Sequence, residues 1–394
     1  MTTKRTDLDL LVKDLEGMNE LDARYSEITC VNYGGAQPRR GVLSLVFQAR
    51  DIVEDKLVAL KFMDPGMLGN RYRIEAFERE PEILEKLVPK KRCITLTSGL
   101  EEFGWELAHP TGGETTKVPL KYFAVDWLEE DVDEYFFRQH EIAAVEKLKV
   151  FRKVLLAVAS IHSAEISHRD LKADNLRAYN LRDEQIIAAI DFGTAAHIES
   201  SSLISTYDDP VGALAYAAPE TCVGFAGDRE IGFLTDIYAL GCLLYQLFNR
   251  SLHFDAIQAD RHYLQTLLLL RAEVGVKTTK EDKIAAWAET MVRFAHSVHP
   301  PSIDGNDSSL PLSISHIVSK LHREMTCFDY RQRISDLNKV RYRIESAIKV
   351  LENEKMQHAI LQRKRQYRVR REEKIKERDR NIREYARKRE CLPC

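Results

Sequence analysis

The sequence contains few cysteines, no long apolar run and no internal repeat. Its seven cysteines are odd in number and scattered, which argues against a disulfide scaffold and predicts reduced thiols in a cytosolic protein. No run reaches the roughly 18 apolar residues of a membrane span, since the most apolar stretch, FLTDIYALGCLLYQLF, carries Asp236 in its first turn. The first residues, MTTKRTDLDLL, lack the apolar core of a signal peptide, so we expect no secretion signal.

Acidic and basic residues are unevenly distributed along the chain, whose formal net charge is −3. Residues 363–389 hold 14 Lys/Arg against 5 Asp/Glu, a net charge of +9. Residues 1–362 hold 44 Lys/Arg against 55 Asp/Glu, a net charge of −11. With 44% hydrophobic and 30% charged residues overall, the sequence predicts a soluble, acidic globular body with a basic tail.

Periodicity in the first third of the chain predicts a region of helices and strands. Apolar residues at helical spacing in TDLDLLVKDL predict a short amphipathic helix that packs on the body. From Ile28 to Met63 the pattern changes to the alternation typical of strands. RYRIEAFEREPEILEKL predicts a helix that Pro81 should kink or shorten, because proline removes one backbone donor.

The stretch ISHRDLKADNL, residues 166–176, places seven polar or charged residues among eleven. An amphipathic helix precedes it, and a predicted hairpin that ends in IDFG follows. A polar loop between buried elements is ordinary, and a lone DFG is a weak signal. However, HRDLKADN, DFG, the APE of residues 218–220 and DIYALG occur together in the order of the protein-kinase signature. The chain resembles eukaryotic-type protein kinases from about Ile28 to Asp336.

The resemblance implies a bilobal α+β fold, with a small antiparallel β-rich N-lobe that carries one main helix and a larger, mostly helical C-lobe. We expect an N-terminal amphipathic helix in residues 1–24, the N-lobe in residues 25–128 and the C-lobe in residues 129–345. A basic helical tail is expected in residues 346–394.

The same resemblance implies the residues of catalysis. Asp170 takes the position of the base that orients the acceptor hydroxyl, and Lys172 that of the cation beside the transferring phosphoryl group. Asn175 and Asp191 take the positions of the Mg²⁺ ligands. Phosphoryl transfer depends mainly on positioning and charge neutralisation, which accounts for these residue types.

ATP would be anchored by Lys61 of VALK, whose partner in the family is a helix glutamate, here Glu80. The implied hinge, VDWLEED, contributes backbone groups of its second and fourth residues to adenine, and its first residue is the gatekeeper. The residues expected to contact the nucleotide are Gly41, Ser44, Val46, Ala59, Lys61, Val125, Asp126 and Leu128.

Two regions depart from the family pattern. The glycine-rich loop that covers phosphates reads Arg39, Gly41, Ser44, Val46, so only its central glycine is present. This change bears on nucleotide affinity rather than on the reaction. Ala213 stands where the family has a threonine that bonds the catalytic Asp and Lys, so we expect slower chemistry or an altered acceptor geometry.

Two further matches are structural, and one is regulatory. Asp236 matches a buried aspartate that braces the catalytic loop, and Arg333 matches an arginine that pairs with Glu220. Arg169 marks the subclass whose activation loop, here containing Thr206 and Asp209, is ordered by a phosphate. Our hypothesis is that Asp209 pairs with Arg169 and makes phosphorylation unnecessary. The alternative is that YDDP is only a solvated turn.

The position of Lys172 two residues after Asp170 is typical of serine/threonine kinases. The sequence therefore predicts a cytoplasmic, ATP- and Mg²⁺-dependent kinase that phosphorylates Ser/Thr hydroxyls of an unidentified protein substrate and of itself. Two alternatives stay open: a nucleotide-binding pseudokinase or scaffold, and a kinase-fold phosphotransferase acting on a small molecule. The presence of both metal ligands argues against the scaffold.

The basic tail contains acid-to-base pairs at i,i+4 spacing, such as Glu372–Lys376, and predicts a solvated helix. Solvation alone explains such a charge run, but docking of an acidic partner or of the acidic body is an open alternative. We do not expect nucleic acid as a partner, because aromatics are few and no nucleic-acid fold surrounds the tail. The final CLPC has the layout of a prenylation box, but Pro393 and Cys394 fit it poorly, so we expect no stable membrane anchor.

Overall fold

The computed structural model describes residues 7–33, 44–88, 90–108, 115–132, 142–182, 184–198, 212–225, 228–294, 297–305 and 308–390. Side chains at 108, 130–131, 358–359 and 375–390 are outside this description. The described residues form a small lobe built on a curled antiparallel sheet and a large lobe that is mostly helical, so the predicted bilobal α+β fold is confirmed.

The small lobe contains α1 (Asp7–Glu16), β1 (Glu20–Leu21), β2 (Tyr25–Cys30), β3 (Ser44–Asp51), β4 (Lys56–Met63), α2 (Arg71–Leu87), β5 (Leu96–Ala108) and β6 (Thr115–Asp126). The large lobe contains β7 (Glu130–Asp131), α3 (Ala144–His162), β8 (Ile166–Ser167), β9 (Leu176–Leu181), β10 (Glu184–Ala189), β11 (Ala196–His197), α4 (Arg229–Phe248), α5 (His253–Gln258), α6 (Arg261–Val274), α7 (Lys280–Phe294), α8 (Leu312–Met325) and α9 (Leu337–Glu390).

The sheet of the small lobe has the strand order β1-β2-β3-β4-β6-β5, and its strands pair antiparallel. Alternation along β4 separates its two faces, as a strand period of two requires. Leu60 and Phe62 belong to an apolar cluster on the outer face, which Leu11 of α1 covers. Ala59 and Lys61 belong to the inner face, toward the large lobe and α2.

Helix α2 begins after Asn70, whose side chain accepts a backbone N–H of the first turn. It continues through Pro81 to Leu87, so the predicted shortening at this proline does not occur. Phe77, Pro81 and Leu84 are all buried, and their packing offsets the one hydrogen bond that the proline removes.

Helix α4 forms the centre of the large lobe. By length and composition it could cross a membrane, but 83% of its most apolar window is buried inside the protein, where α3 and α8 pack against it. Its C-terminal end receives a charged donor, because Lys147 of α3 donates from Nζ to the Leu247 carbonyl at 2.7 Å. Helix α4 is therefore a core helix that can position a loop attached to it.

A buried ion pair joins the loop before α4 to the segment after α8. Glu220 and Arg333 have fully buried side chains, and Arg333 Nη2 lies 3.0 Å from Glu220 Oε2. Arg333 also donates to the carbonyls of Leu234 and Cys327, both at 2.9 Å. Every described partner of this guanidinium is thus within the lobe, which is the arrangement that a buried charge needs.

Helix α9 contains the basic tail. Its first part is anchored in the large lobe, where Val340, Ile344 and Ile348 are buried next to α3 and α8. From residue 352 onward the described side chains, 352–357 and 360–374, are exposed. The helix has 54 residues, which corresponds to about 80 Å. The basic C-terminal segment is thus helical up to Glu390, in a helix that begins at Leu337 within the large lobe.

Two imidazoles lie side by side in the core of the large lobe. His253 of α5 and His322 of α8 are both buried, and their ring centroids are 5.3 Å apart. Within the described part of the chain, neither ring nitrogen of His322 has a hydrogen-bond partner. Burial lowers the pKa of His253 to about 3, and burial followed by the neighbouring imidazole lowers the pKa of His322 well below its usual value.

We predict that acid destabilises the large lobe through these two residues. Between the ordinary pKa of 6.5 and about 3, the unfolded chain binds protons at His253 that the folded chain does not bind, so stability falls as the pH decreases. Replacing His253 with Phe should remove about 1.4 kcal/mol per pH unit from this slope. Urea midpoints between about pH 5.5 and pH 4, converted to free energies with the m-value, measure it. His262→Phe, at an exposed position of α6, should keep the wild-type slope, and equal slopes in both variants would contradict the prediction.

Candidate active site

A buried lysine lies on the inner face of the small lobe. Lys61 is 7% exposed and pairs across the strands with Val46 of β3. Its Nζ lies 2.6 Å from Glu80 Oε1 and 3.1 Å from Asp191 Oδ1. Desolvation disfavours the ammonium, but the two carboxylates outweigh it and raise the pKa of Lys61 above its ordinary value. Lys61 is therefore a fixed positive charge between the two lobes.

The carboxylate of Glu80 connects three segments of the chain. It comes from α2, binds Lys61 of β4, and accepts the Phe192 N–H at 2.9 Å. Burial raises the pKa of Glu80, while Lys61 opposes the rise. A buried carboxylate of this kind keeps its charge only because both donors are in place.

Asp191 follows β10 and has a φ of 61°, in the left-handed region that non-glycine residues rarely adopt. Desolvation raises its pKa, but the ion pair with Lys61 outweighs this and lowers the pKa below its ordinary value. Asp191 is therefore an anion at neutral pH, held in a strained backbone conformation beside a lysine.

The loop between β8 and β9 is fastened to α4 by the carboxylate of Asp236. This fully buried side chain accepts the backbone N–H groups of His168, at 2.8 Å, and of Arg169, at 2.7 Å. His162 Nε2, at the end of α3, lies 2.9 Å from the same carboxylate. Arg169 has a φ of 67°, and these bonds hold its strained backbone in place.

Asp170 has a fixed side-chain orientation at the next position. Its Oδ1 accepts the Ala213 N–H at 2.6 Å, and its Oδ2 accepts from Asn175 Nδ2 at 3.0 Å. Lys172 Nζ lies 3.6 Å from the same Oδ2. Desolvation raises the pKa of Asp170, and the charge of Lys172 opposes the rise. The result is an oriented carboxylate that is a stronger base than an ordinary aspartate.

At Ala213 the main chain supplies a contact to Asp170 that does not depend on the side chain. The cavity beside it is small, and its lining includes Asp170, Thr235 and Asp236. The substitution of alanine for the family threonine thus leaves Asp170 oriented. It removes only the hydroxyl that the resemblance implies.

Asn175 is oriented toward Asp170 by both of its amide hydrogens. Nδ2 donates to the Asp170 carbonyl at 2.8 Å and to Oδ2 at 3.0 Å. The amide oxygen is the remaining group that can bind a cation. Together with the Asp191 carboxylate it supplies hard oxygen donors, so these two residues fit Mg²⁺.

Several residues expected to contact the nucleotide lie on one surface. Val46 is opposite Lys61, and Ala59 is opposite Val125 on β6, so all four are adjacent in the sheet. Leu128 packs against the same apolar cluster. The small and apolar side chains beside Lys61 form a surface on which a flat ring system can pack.

The remaining residues expected to contact the nucleotide are Asp126, Ser44 and Gly41. The Asp126 N–H donates to the Thr95 carbonyl at 2.9 Å, so it is engaged within the protein. Ser44 begins β3 and is 8% exposed. Gly41 lies outside the described residues.

The side chain of Arg169 is partly buried, and its Nε atom is fully buried. Its Nη2 donates to the Asp228 carbonyl at 3.2 Å, whereas its Nε has no partner within the described part of the chain. Burial, followed by the charge of Arg79 on α2, lowers the pKa of Arg169 to about 10. Thr206 and Asp209, the other two regulatory residues predicted from the sequence, lie outside the described residues.

Two residues at this site were not identified from the sequence. Arg79 precedes Glu80 on α2, and among the described residues its Nε and Nη2 have no hydrogen-bond partner. His162 occupies the apolar face of α3 but binds Asp236. A polar residue on an apolar helix face just before the HRD motif was the available signal for His162. Arg79 left no signal, because one more arginine on a charged helix is ordinary.

Comparison with known proteins identifies similar sequences. The protein kinase domain model matches residues 40–375. The serine/threonine-protein kinase pkn3 of Myxococcus xanthus is 27% identical over 228 residues, which are 56% of this chain and 38% of that protein. The serine/threonine-protein kinase PrkC of Bacillus subtilis is 24% identical over 240 residues, 61% of this chain and 32% of that protein. RAD53 of Saccharomyces cerevisiae, another serine/threonine-protein kinase, is 27% identical over 238 residues, 57% of this chain and 26% of that protein. The chain thus spans well under half the length of these relatives.

We predict that Asp236→Asn destabilises the protein by about 1.5–3 kcal/mol, because two backbone donors lose a charged acceptor. Chemical denaturation measures the loss. Asp260→Asn is the matched control, since Asp260 caps α6 at the surface and asparagine caps a helix equally well. An equal, small effect of both substitutions would show that Asp236 does not hold the loop.

Proposed function

The chain belongs to the protein kinase family, and from this we propose that it transfers the γ-phosphoryl group of ATP to serine and threonine hydroxyls of proteins. The observation that best supports this is the pair Lys61–Glu80, which joins the sheet to α2 while Lys61 also contacts Asp191. The names of the relatives support the serine/threonine class.

In this proposal Lys61 binds phosphate oxygens of ATP. Its raised pKa keeps it protonated, and Glu80 fixes its position. The apolar side chains of Val46, Ala59 and Val125 lie beside it and can receive adenine. Neighbouring positions of one sheet thus supply a positive charge for the phosphates of ATP and an apolar surface for its adenine.

Asp170 acts as the base in this proposal. Its bonds to Ala213 and Asn175 orient the carboxylate, and its raised pKa favours acceptance of a proton from the substrate hydroxyl. Lys172, 3.6 Å away, places a positive charge next to the reacting group. Asn175 and Asp191 would hold Mg²⁺, which would neutralise charge on the phosphates when bound.

A nucleotide-binding scaffold is the second candidate function, and Ala213 is the observation that favours it. The missing hydroxyl would weaken the coupling between Asp170 and Lys172 without affecting nucleotide binding. Phosphoamino-acid analysis of the products separates the protein kinase from a kinase that acts on a small molecule.

Two further proposals concern the partner of the basic tail and the location of the protein. We propose that the basic tail docks an acidic protein partner, since its side chains from 360 to 374 are exposed and residues 363–389 carry a net charge of +9. We propose a cytoplasmic location, because the phosphoryl donor is ATP.

We predict that the purified chain incorporates phosphate from labelled ATP and Mg²⁺, into itself and into a generic basic protein. Asp170→Asn should lower the rate by about 10²–10⁴-fold, because the base is lost. Asp191→Asn should do likewise by removing a metal ligand. Asp174→Asn, an exposed position of the same loop, should keep wild-type activity.

Incorporation that survives both substitutions would exclude these roles for Asp170 and Asp191. No incorporation by the wild type, with ATP still raising its melting temperature, would favour the scaffold.

For regulation we propose that Asp209 supplies an anion to Arg169. The support is a guanidinium whose buried Nε has no partner in the described region, with a second arginine, Arg79, close enough to lower its pKa. Asp209→Ala should lower kcat/KM about tenfold, whereas Asp208→Ala, its neighbour, should not. Full activity of Asp209→Ala together with inactivity of Thr206→Ala would contradict this proposal and indicate that a phosphorylated threonine provides the anion.

A further inference from the structure

Helix α1 lies on the outer face of the small lobe, opposite the face that carries Lys61. Two of its carboxylates bind the chain at the end of β2. Asp9 accepts from the Tyr33 hydroxyl at 2.7 Å, and Glu16 accepts the Cys30 N–H at 2.9 Å. A third, Asp14, accepts from Trp105 on β5 at 2.9 Å. The helix is thus attached both to the sheet and to residues 30–33.

Asn32 connects residues 30–33 to the first residues of β3. Its Nδ2 donates to the Ser44 carbonyl at 3.0 Å, and its Oδ1 accepts the Val46 N–H at 2.9 Å. The Val31 N–H donates to the Val46 carbonyl at 2.9 Å. The backbone pairing of β2 with β3 ends at Cys30 and Phe47. Beyond this pair, the side-chain amide of Asn32 forms the hydrogen bonds that a strand backbone would otherwise form. On the side of β3 that faces β2, the Ser44 carbonyl and the Val46 N–H are thus bound by a side chain, while β4 pairs with both residues on the other side.

These contacts form a continuous route from α1 to the nucleotide-facing side of the sheet. Asp9 holds Tyr33, the next residue after Asn32, and Asn32 holds the backbone on both sides of Leu45. Val46 is the cross-strand neighbour of Lys61, so a shift of its backbone changes the space beside the lysine. The family pattern requires glycines before β3 that this sequence largely lacks, which makes an additional support for this backbone useful.

We propose that α1 sets the affinity for ATP by positioning Ser44 and Val46 through Tyr33 and Asn32. This inference rests on the proposed function, since it assumes that ATP binds beside Lys61. Tyr33 and Asn32 are positioning residues: they act on the backbone of β3 and not on the reacting atoms. The effect should therefore appear in ATP binding and leave the chemical step unchanged.

The test is Tyr33→Phe, which removes the hydroxyl and keeps the ring. The Kd for ATP, measured by equilibrium titration of the full chain, and the KM for ATP should both rise about three- to tenfold, with kcat within about twofold of wild type. Tyr25→Phe is the matched control, because its hydroxyl donates to Ser98 within the same lobe and does not contact α1. It should leave both constants unchanged.

A double-mutant cycle tests the route itself. Asp9→Ala alone should weaken ATP binding, and its effect should disappear in the Tyr33→Phe background, because both substitutions remove the same hydrogen bond. Asn32→Asp places a carboxylate oxygen against the Ser44 carbonyl and should weaken binding further. Unchanged Kd and KM in Tyr33→Phe, or fully additive effects of the two substitutions, would overturn the inference while leaving the kinase activity of the wild type intact. A wild type that binds no ATP would overturn the proposed function, and this inference with it.

Discussion

The contact of Lys61 with Glu80 and Asp191 is the interaction on which the arrangement of the lobes depends. It joins a strand, a helix and the segment after β10, which approach one another from three directions. Lys61 and Glu80 would each be costly to bury alone, and the positive charge of Lys61 compensates Glu80 and the half-exposed Asp191 together. A movement of α2 away from the sheet would leave Lys61 and the Phe192 N–H without Glu80. The small lobe and the segment after β10 are therefore coupled by electrostatics, not by apolar packing alone.

A second constraint is the strained backbone at Arg169 and Asp191, which both have positive φ. Such residues cost about 1–3 kcal/mol each and persist only where the surroundings determine their conformation. For Arg169 the surroundings are Asp236 and the rigid helix α4 that carries it. Helix α4 is apolar because it is buried in the core, and its one buried carboxylate, Asp236, attaches the loop to that core. The apolarity that makes α4 similar in composition to a membrane span thus has a structural purpose in the core.

The sequence was informative where residues with a chemical role occur close together in the chain and in a characteristic order. The polar loop around Asp170, the DFG segment and the lysine of β4 could be identified because their residue types are unusual at those places, and they predicted the two-lobed fold. The continuation of α2 through Pro81 could not be predicted, because burial on both sides of the proline decides it. The contact of Asp9 with Tyr33 and the adjacency of His253 and His322 could not be predicted either. These are contacts between residues that are distant in the chain, and they leave no periodic pattern in it.

The C-terminal part of α9 carries a dense series of basic residues along one helix axis. Its residues 363–389 extend over about 40 Å, so the net charge of +9 corresponds to one charge per about 4.5 Å of helix axis. This spacing is shorter than the Debye length of about 8 Å at physiological ionic strength and longer than the value of about 3 Å at 1 M salt. At low salt neighbouring charges therefore overlap into a continuous positive potential, and at high salt they separate into independent points. The reach of this series of charges toward other molecules is consequently a function of the surrounding electrolyte.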